Sequence, residues 1–254
     1  MSSSAGDLPW LAPHQAFPPA SHAWPAGSAA PGLLAAGGVL DVATLCQAYR
    51  HGIFPWFSDD QPILWWSPDP RMILKTSQLR MHRSLRQAVQ QFRRSPGCEI
   101  RIDSAFEQVI NGCASSPRVG QSGTWIVPAM IDAYVALHHA GFAHSVETWI
   151  DGRLCGGLYC VAIGRAVFGE SMFTRVSNGS KIALAALVSL CAHHGIVQID
   201  CQQNTRHLAH MGATEISRAD FLIGVGHGVS QTAPVWQFDP LYWQLLLHSK
   251  QDLA

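Results

Sequence analysis

Leu154 to Ile163 and Ala166 to Phe173 are two apolar runs separated only by Gly164-Arg165. Two such runs joined by two residues, one of them glycine, read as a β-hairpin, because so tight a connection needs backbone that glycine tolerates. Ala143 to Ile150, just before them, alternates like a strand. Asn178 to His194 follows as a strongly apolar helix, with Ser177 or Asn178 as cap and Gly195 as stop. Ile196 to Gln202 then reads as a strand after almost no loop. A hairpin, an apolar helix and a returning strand in close succession constrain the chain to a mixed α/β fold with helices packed on a sheet.

The rest of the chain fits that class. Cys98 to Ile102 reads as a strand. His82 to Phe92, Ser104 to Cys113, Pro128 to Gly141, Thr205 to Met211 and a last segment from Ser217 read as helices. Asp41 to Arg50 is a short helix capped by Asp41 and stopped by Gly52. With 254 residues, one or two domains are expected. Residues 1–16, rich in small residues and proline, are expected to form a disordered arm, 17–69 an N-terminal domain and 70–254 a larger domain ending in an irregular, aromatic tail. Ser67-Pro-Asp-Pro70 favours extended or turn geometry and marks the boundary.

Apolar residues at 48% and charged residues at 13% allow a sizeable core and argue against a mostly disordered chain. Lys+Arg and Asp+Glu are both 17, so a polyanionic partner would have to be held by a local patch. The first Lys or Arg is Arg50, which speaks against a signal or transit peptide. The run Ile182 to Ala192 is too short to span a bilayer, and seven irregularly spaced cysteines do not suggest a disulfide framework. A cytoplasmic protein is expected.

Seven basic residues and no acid lie between Arg71 and Arg94. Arg83 and Arg86 share a helix face. A solvated helix face would explain such a run, and so would contact with phosphates. Trp56, Trp65, Trp66 and Trp125 could stack on bases or fill a core. In the strand Ile196 to Gln202, alternation puts Gln198, Asp200 and Gln202 on one face. A carboxylate on a strand buried on both sides is either partnered in a site or caps the next helix. In Phe168-Gly-Glu-Ser-Met-Phe173 alternation places Glu170 and Met172 on the side of Phe168, and a lone Glu there points either to a site or to water. The histidines and cysteines lack metal-ligand spacing. No nucleophile elbow and no phosphate loop is convincing.

Several longer segments carry a resemblance. Tyr49-Arg-His-Gly-Ile-Phe-Pro-Trp-Phe57, Leu64-Trp-Trp-Ser-Pro-Asp-Pro-Arg71, Gly123-Thr-Trp-Ile126, His144-Ser-Val-Glu147, Gly156-Gly-Leu-Tyr159, Phe168-Gly-Glu-Ser-Met-Phe173 and Ile199-Asp-Cys-Gln202 resemble the bacterial leucyl/phenylalanyl-tRNA–protein transferases. The likeness runs in the family's order from about Phe17 to Phe221. Asn178-Gly179-Ser180-Lys181 departs from it, with Gly where the family usually has Ala, which should weaken the helix start.

The resemblance implies a small N-terminal domain and a larger domain resembling the acyl-CoA N-acyltransferase fold. It implies an enzyme of the N-degron protein degradation pathway. Such an enzyme moves Leu or Phe, and also Met, from aminoacyl-tRNA to the α-amine of proteins with N-terminal Arg or Lys. On that basis Arg80, Arg83 and Arg86 are expected at the tRNA backbone, and Trp56 and Trp125 at its 3′-terminal adenosine. Leu158, Met172 and Ile199 are expected to line the amino-acid pocket. Glu170 is expected at the substrate N-terminus, and Asp200 and Gln202 at the reacting amine. The proton acceptor stays open among Asp200, a water and the tRNA ribose. Aminolysis of an activated ester needs neither cofactor nor metal, and none is expected. A noncatalytic tRNA or single-strand binding module would share the basic patch and aromatics. An acyl-CoA-dependent N-acyltransferase would want a glycine-rich pyrophosphate loop, which Phe173-Thr-Arg-Val-Ser-Asn-Gly179 does not provide.

Overall fold

A computed structural model describes residues 8–116 and 126–247. The chain begins with β1 (Trp10–Leu11), β2 (Leu33–Gly37), α1 (Val42–Arg50), β3 (Phe54–Pro55) and β4 (Leu64–Trp66). These strands form a sheet in the order β1-β2-β4-β3. A second set of elements comes next: β5 (Arg71–Lys75), α2 (Arg83–Arg94), β6 (Cys98–Ile102), α3 (Phe106–Ala114), α4 (Pro128–His139), β7 (Ala143–Ile150), β8 (Arg153–Ile163) and β9 (Ala166–Thr174). It ends with α5 (Gly179–His193), β10 (Gln198–Asp200), α6 (Arg206–His210), β11 (Thr214–Ile216), α7 (Arg218–Val229) and α8 (Gln244–Leu247). Its strands form one sheet in the order β11-β5-β10-β9-β8-β7-β6. Only β9 and β10 run parallel in it; the other pairs are antiparallel.

The fold is the mixed α/β class expected from the hairpin, apolar helix and returning strand. The two sheets divide between Trp66 and Arg71, where the sequence changes from aromatic and proline-rich segments to alternating strands. The expected arm is a point of difference. Trp10–Leu11 pairs with Ala36 and Gly37, and Leu11 is buried. Burial of Leu11 and the backbone bonds of β1 outweigh the loop-forming composition around them.

The large sheet has a core on each side. On one side, α3, α4 and α7 pack with the small sheet around Tyr49, Trp65, Tyr134, Phe168 and Phe221. On the other side, α5 packs against Leu158, Ile199 and the buried face of α2, formed by Leu85, Val89 and Phe92. Gly179 opens α5 with a reason the sequence did not disclose. A Cβ there would lie 2.9 Å from the Cys155 carbonyl oxygen and 2.9 Å from Thr174 Oγ1. Asn178 takes the cap position in a left-handed conformation, and its side chain makes no capping bond.

Two irregularities of strand geometry bear on the candidate site, at Glu170 and Gln202. The β8–β9 ladder pairs Tyr159 with Ser171 but Cys160 with Gly169, so Glu170 is the extra residue of a bulge. One extra residue reverses every later side chain. Phe168 therefore faces the α3 and α4 core while Met172 packs on the α5 side. The expected alternation, with both on one face, does not hold. At the end of β10, Gln202 leaves the extended region, with a φ of 61°.

Glu147 of β7 shows how the fold satisfies a fully buried carboxylate. Its oxygens accept from the Ala105 backbone N–H at 2.8 Å, from Ser145 Oγ at 2.7 Å, from Trp149 Nε1 at 2.7 Å and from Ser104 Oγ. Ala105 is the N-cap of α3 and no side chain of its own segment caps that helix, so Glu147 holds the helix start against the sheet. Glu147→Ala strands several buried donors at once. It should lower the unfolding free energy by about 3 kcal/mol in urea denaturation. A change within about 0.5 kcal/mol would show that water replaces the carboxylate.

Candidate active site

Asp200 closes β10 and is 2% exposed. Its Oδ1 accepts from Arg71 Nε at 2.8 Å and its Oδ2 from Arg71 Nη2 at 2.6 Å. The same Oδ1 accepts the backbone N–H of Gln202 at 2.8 Å. Arg71 is fully buried. Its Nη1 donates to the Gly52 carbonyl at 3.1 Å, and its guanidinium lies 4.8 Å from the Phe54 ring centre and 4.4 Å from that of Phe221. A planar fork meeting a carboxylate edge to edge is the geometry in which a buried pair recovers most of its desolvation cost. Asp200, expected at the reacting amine, therefore has both oxygens occupied. It stands behind Gln202 and sets that residue's turn.

Gln202 consequently leaves the strand alternation that would keep it beside Asp200. Its Nε2 donates to Glu170 Oε1 at 2.9 Å. Glu170 also receives the Tyr49 hydroxyl at 2.8 Å on Oε1 and the Tyr134 hydroxyl at 3.3 Å on Oε2. The two phenol oxygens touch each other. Burial pushes the Glu170 carboxyl up to about 7; the Asp200 charge adds to that, while the bonds from Tyr49, Gln202 and Tyr134 oppose it. Burial, with the neighbouring Glu170 charge, also pushes both phenols well above their ordinary range, so each is a neutral donor.

Glu170 borders a cavity of about 1120 Å³. Leu158, Met172 and Ile199 line it, with Leu184 and Leu187 of α5. The three residues expected in an amino-acid pocket thus come together around one apolar space. Its remaining wall includes Thr205, Arg206, His207 and His210 of the α6 segment. His82 beside α2 stacks on His210 with ring centres 4.1 Å apart, and His82 Nε2 is 3.0 Å from the His210 carbonyl oxygen. The basic helix and the cavity wall are therefore joined.

Arg80 and Arg83 are exposed at that end of α2. Arg86 is half-buried and donates to the Leu247 carbonyl at 3.2 Å, tying the tail to the helix. Trp56 is half-buried, lies edge-on to Trp66 at 5.4 Å, and is not part of the cavity wall. Trp65 and Trp66 are core residues whose indole N–H groups donate to the Gly37 and Trp56 carbonyls. Trp125 lies outside the described residues. Among the described residues no cluster of three metal-ligating side chains occurs, the seven cysteines are free thiols, and no helix is long and apolar enough to cross a membrane.

Sequence reasoning assigns no role to Arg71, Tyr49 or Tyr134. Arg71 reads as one more member of a basic run, and only its burial separates it from Arg80 and Arg83. Tyr49 opens the first resembling segment, but its partner lies 121 residues away.

Two family models match, the leucyl/phenylalanyl-tRNA protein transferase over residues 73–225 and that family's N-terminal domain over residues 38–69. The chain belongs to this family. A leucyl/phenylalanyl-tRNA–protein transferase of Albidiferax ferrireducens is 64% identical over 97% of each chain. One from Polaromonas sp. is 60% identical over 96% of each chain. A GCN5-related N-acetyltransferase from Kribbella flavida is a distant structural neighbour, with a TM-score of 0.31, 10% identity, and coverage of 66% of this chain and 58% of its own. As a member of the leucyl/phenylalanyl-tRNA protein transferase family, the protein is a transferase.

The Arg71–Asp200 pair generates a stability prediction. Arg71→Met leaves a buried carboxylate without its partner and should cost about 3–5 kcal/mol. The double variant Arg71→Met with Asp200→Leu should recover a large part of that loss, because neither charge then remains. Urea unfolding of both single variants and the double variant measures the coupling; strictly additive losses would show that the two groups do not act as a pair.

Proposed function

We propose that the protein transfers Leu, Phe or Met from aminoacyl-tRNA to the α-amine of acceptor proteins with N-terminal Arg or Lys, in the cytoplasmic N-degron pathway. One observation carries this reading: a single cavity joins an apolar slot to Glu170, which holds the Gln202 amide, and to a wall with Arg206 next to a basic helix. The slot of Leu158, Met172 and Ile199 takes the amino-acid side chain. Glu170 and Gln202 meet the positively charged acceptor N-terminus. Arg80, Arg83 and Arg86 hold the tRNA backbone, Arg86 through whatever part of its guanidinium the Leu247 carbonyl leaves over. Trp56 and Trp125 hold the terminal adenosine.

The reaction needs positioning more than activation. The aminoacyl ester supplies the driving force. An α-amine has an ordinary pKa of about 7.7–8.0, so a useful fraction is neutral near pH 7. Bringing that nitrogen against the ester carbon turns a bimolecular encounter into a local one. Gln202 has an amide oxygen left to accept from the amine while its N–H group is held by Glu170. Asp200 contributes by keeping the Gln202 backbone in its left-handed turn.

The reading is tested by incubating the protein with radiolabelled Leu-tRNA and a peptide beginning with Arg. Label should enter the peptide, and acetyl-CoA should not serve as donor. No transfer from Leu-tRNA would overturn it. Arg80→Ala with Arg83→Ala should raise KM for charged tRNA and reduce the slope of log affinity against log salt by about one unit per lost contact. An unchanged slope would exclude these two residues from the tRNA path.

The pocket makes a separate prediction. An apolar slot discriminates one methylene by only about 1–3 kcal/mol, so Leu, Phe and Met should all be transferred. Ile and Val, branched at Cβ, should be penalised. Equal kcat/KM for Leu-tRNA and Ile-tRNA would contradict the assignment of Leu158, Met172 and Ile199.

A further inference from the structure

The α6 segment brings Thr205, Arg206, His207 and His210 to the cavity wall. It is fixed at both ends. Thr205 caps the helix, its Oγ1 accepting the Leu208 N–H at 3.2 Å. After the helix, the Met211 carbonyl accepts the Arg80 N–H at 2.9 Å, and His210 stacks on His82. Gly212 has a φ of 103°, and a Cβ there would lie 2.2 Å from the Gln78 carbonyl oxygen. Only glycine lets the two backbones approach so closely. The segment therefore bridges the end of β10, beside the apolar slot, and the residues that lead into the basic helix α2. At roughly 1.5 Å per residue the helix is about 7 Å long, or about two nucleotide steps of a stacked strand.

Charge along this bridge has one sign. No Asp or Glu occurs from Cys201 to Thr214, nor from Arg71 to Arg94. Among the described residues, Glu170 is the one acid in the cavity wall, and Arg206 is exposed with no ion pair. A guanidinium without an acid keeps its planar fork of donors for a ligand. The neighbouring His207 is not its equivalent. Burial lowers His207, and the charges of Lys181 on α5 and of His210 lower it further, so its imidazole is neutral near pH 7. Arg206, with Lys181 nearby, is left to supply the positive charge of this wall.

We propose that Arg206 holds the phosphodiester that joins the terminal adenosine of the donor tRNA to the nucleotide before it, and that α6 carries the single-stranded 3′ end from the apolar slot to α2. The inference rests on the aminoacyl-transfer function proposed for this site. In an aminoacyl-tRNA the amino acid is esterified to the ribose of the last nucleotide, and the phosphodiester leaves the same ribose at its 5′ oxygen. With the amino-acid side chain in the slot, that phosphodiester is the first negative charge outside it, one ribose away. Arg206 is the exposed guanidinium in the wall of that cavity.

The contact divides the work along the tRNA. Arg206 takes the last phosphodiester, and Arg80 and Arg83, beyond the other end of α6, take phosphates further from the amino acid. A guanidinium can meet two phosphate oxygens at once, which fixes orientation as well as charge. Such a contact carries no base information, so it serves tRNAs charged with Leu, Phe or Met alike and leaves the choice among them to the slot.

Donors of three lengths test the proposal with an Arg-starting peptide as acceptor: leucyl-adenosine, which has no phosphate; the leucyl ester of the dinucleotide CpA, which has the one phosphodiester in question; and Leu-tRNA. Arg206→Ala should raise KM for the dinucleotide donor by about fivefold or more beyond any change for leucyl-adenosine. With Leu-tRNA it should lower the slope of log KM against log salt by about 0.7, the value for one contact to a single strand. Arg206→Lys keeps the charge and should recover part of both losses. Arg80→Ala with Arg83→Ala should act on Leu-tRNA far more than on the dinucleotide. If Arg206→Ala raises KM equally for all three donors, Arg206 only shapes the cavity and the proposal fails while the function stands. It fails too if no KM changes. If the wild type accepts Leu-tRNA but neither short donor, the salt slope decides, and an unchanged slope in Arg206→Ala overturns the proposal. If the wild type transfers from no donor, the functional reading itself fails and the proposal with it.

Discussion

The buried pair of Arg71 and Asp200 is the constraint on which the rest of the site depends. Two charges taken out of water are costly unless every donor and acceptor is matched. Here a carboxylate on β10 meets a guanidinium on β5, a carbonyl from the turn after α1 takes a third N–H, and rings from β3 and α7 cover the faces. Five elements from both sheets must be in place before the charges are compensated. The pair thus couples the first 69 residues to the larger sheet, and it also sets the turn of Gln202, the residue next to the cavity.

The second constraint is the bulge at Glu170. A regular β8–β9 ladder would put Glu170 with Phe168, in an apolar core between α3 and α4. The extra residue turns the strand so that Phe168 and Phe173, five positions apart, both enter that core. Glu170 is left at the crossing point, between the tyrosines on one side and the cavity on the other. Burial in such a place pushes the Glu170 carboxyl up to about 7. The parallel neighbour β10 ends two residues before Gln202, which puts the amide over the same carboxyl.

Much of the fold is legible in the residues. The hairpin, the apolar helix and the alternating strands are local patterns. They arise from burial on a sheet or helix face, and the structure keeps them within a few residues. The apolar slot is legible too, since Leu158, Met172 and Ile199 lie in segments whose resemblance is specific. The order before Phe17 is not legible, because a strand of two residues carries almost no periodicity and owes its place to pairing with β2. The role of Arg71 is hidden because charge in a sequence carries no burial; seven basic residues in a run look alike until one is enclosed.

The sequence by itself determined the class of fold, the place of the sheets along the chain, the family, and the residue types at the site, because these rest on local periodicity and on long motifs read in order. Tertiary structure alone decided which side chains meet. It paired Asp200 with Arg71 across 129 positions and brought Tyr49 to Glu170 across 121. It also turned Glu170 and Gln202 toward each other through a bulge and a left-handed residue. The physical reason is that strand alternation predicts direction only while the ladder is regular. Hydrogen bonds between distant buried polar groups are selected by the enclosure of the whole fold, and no spacing along the chain records them.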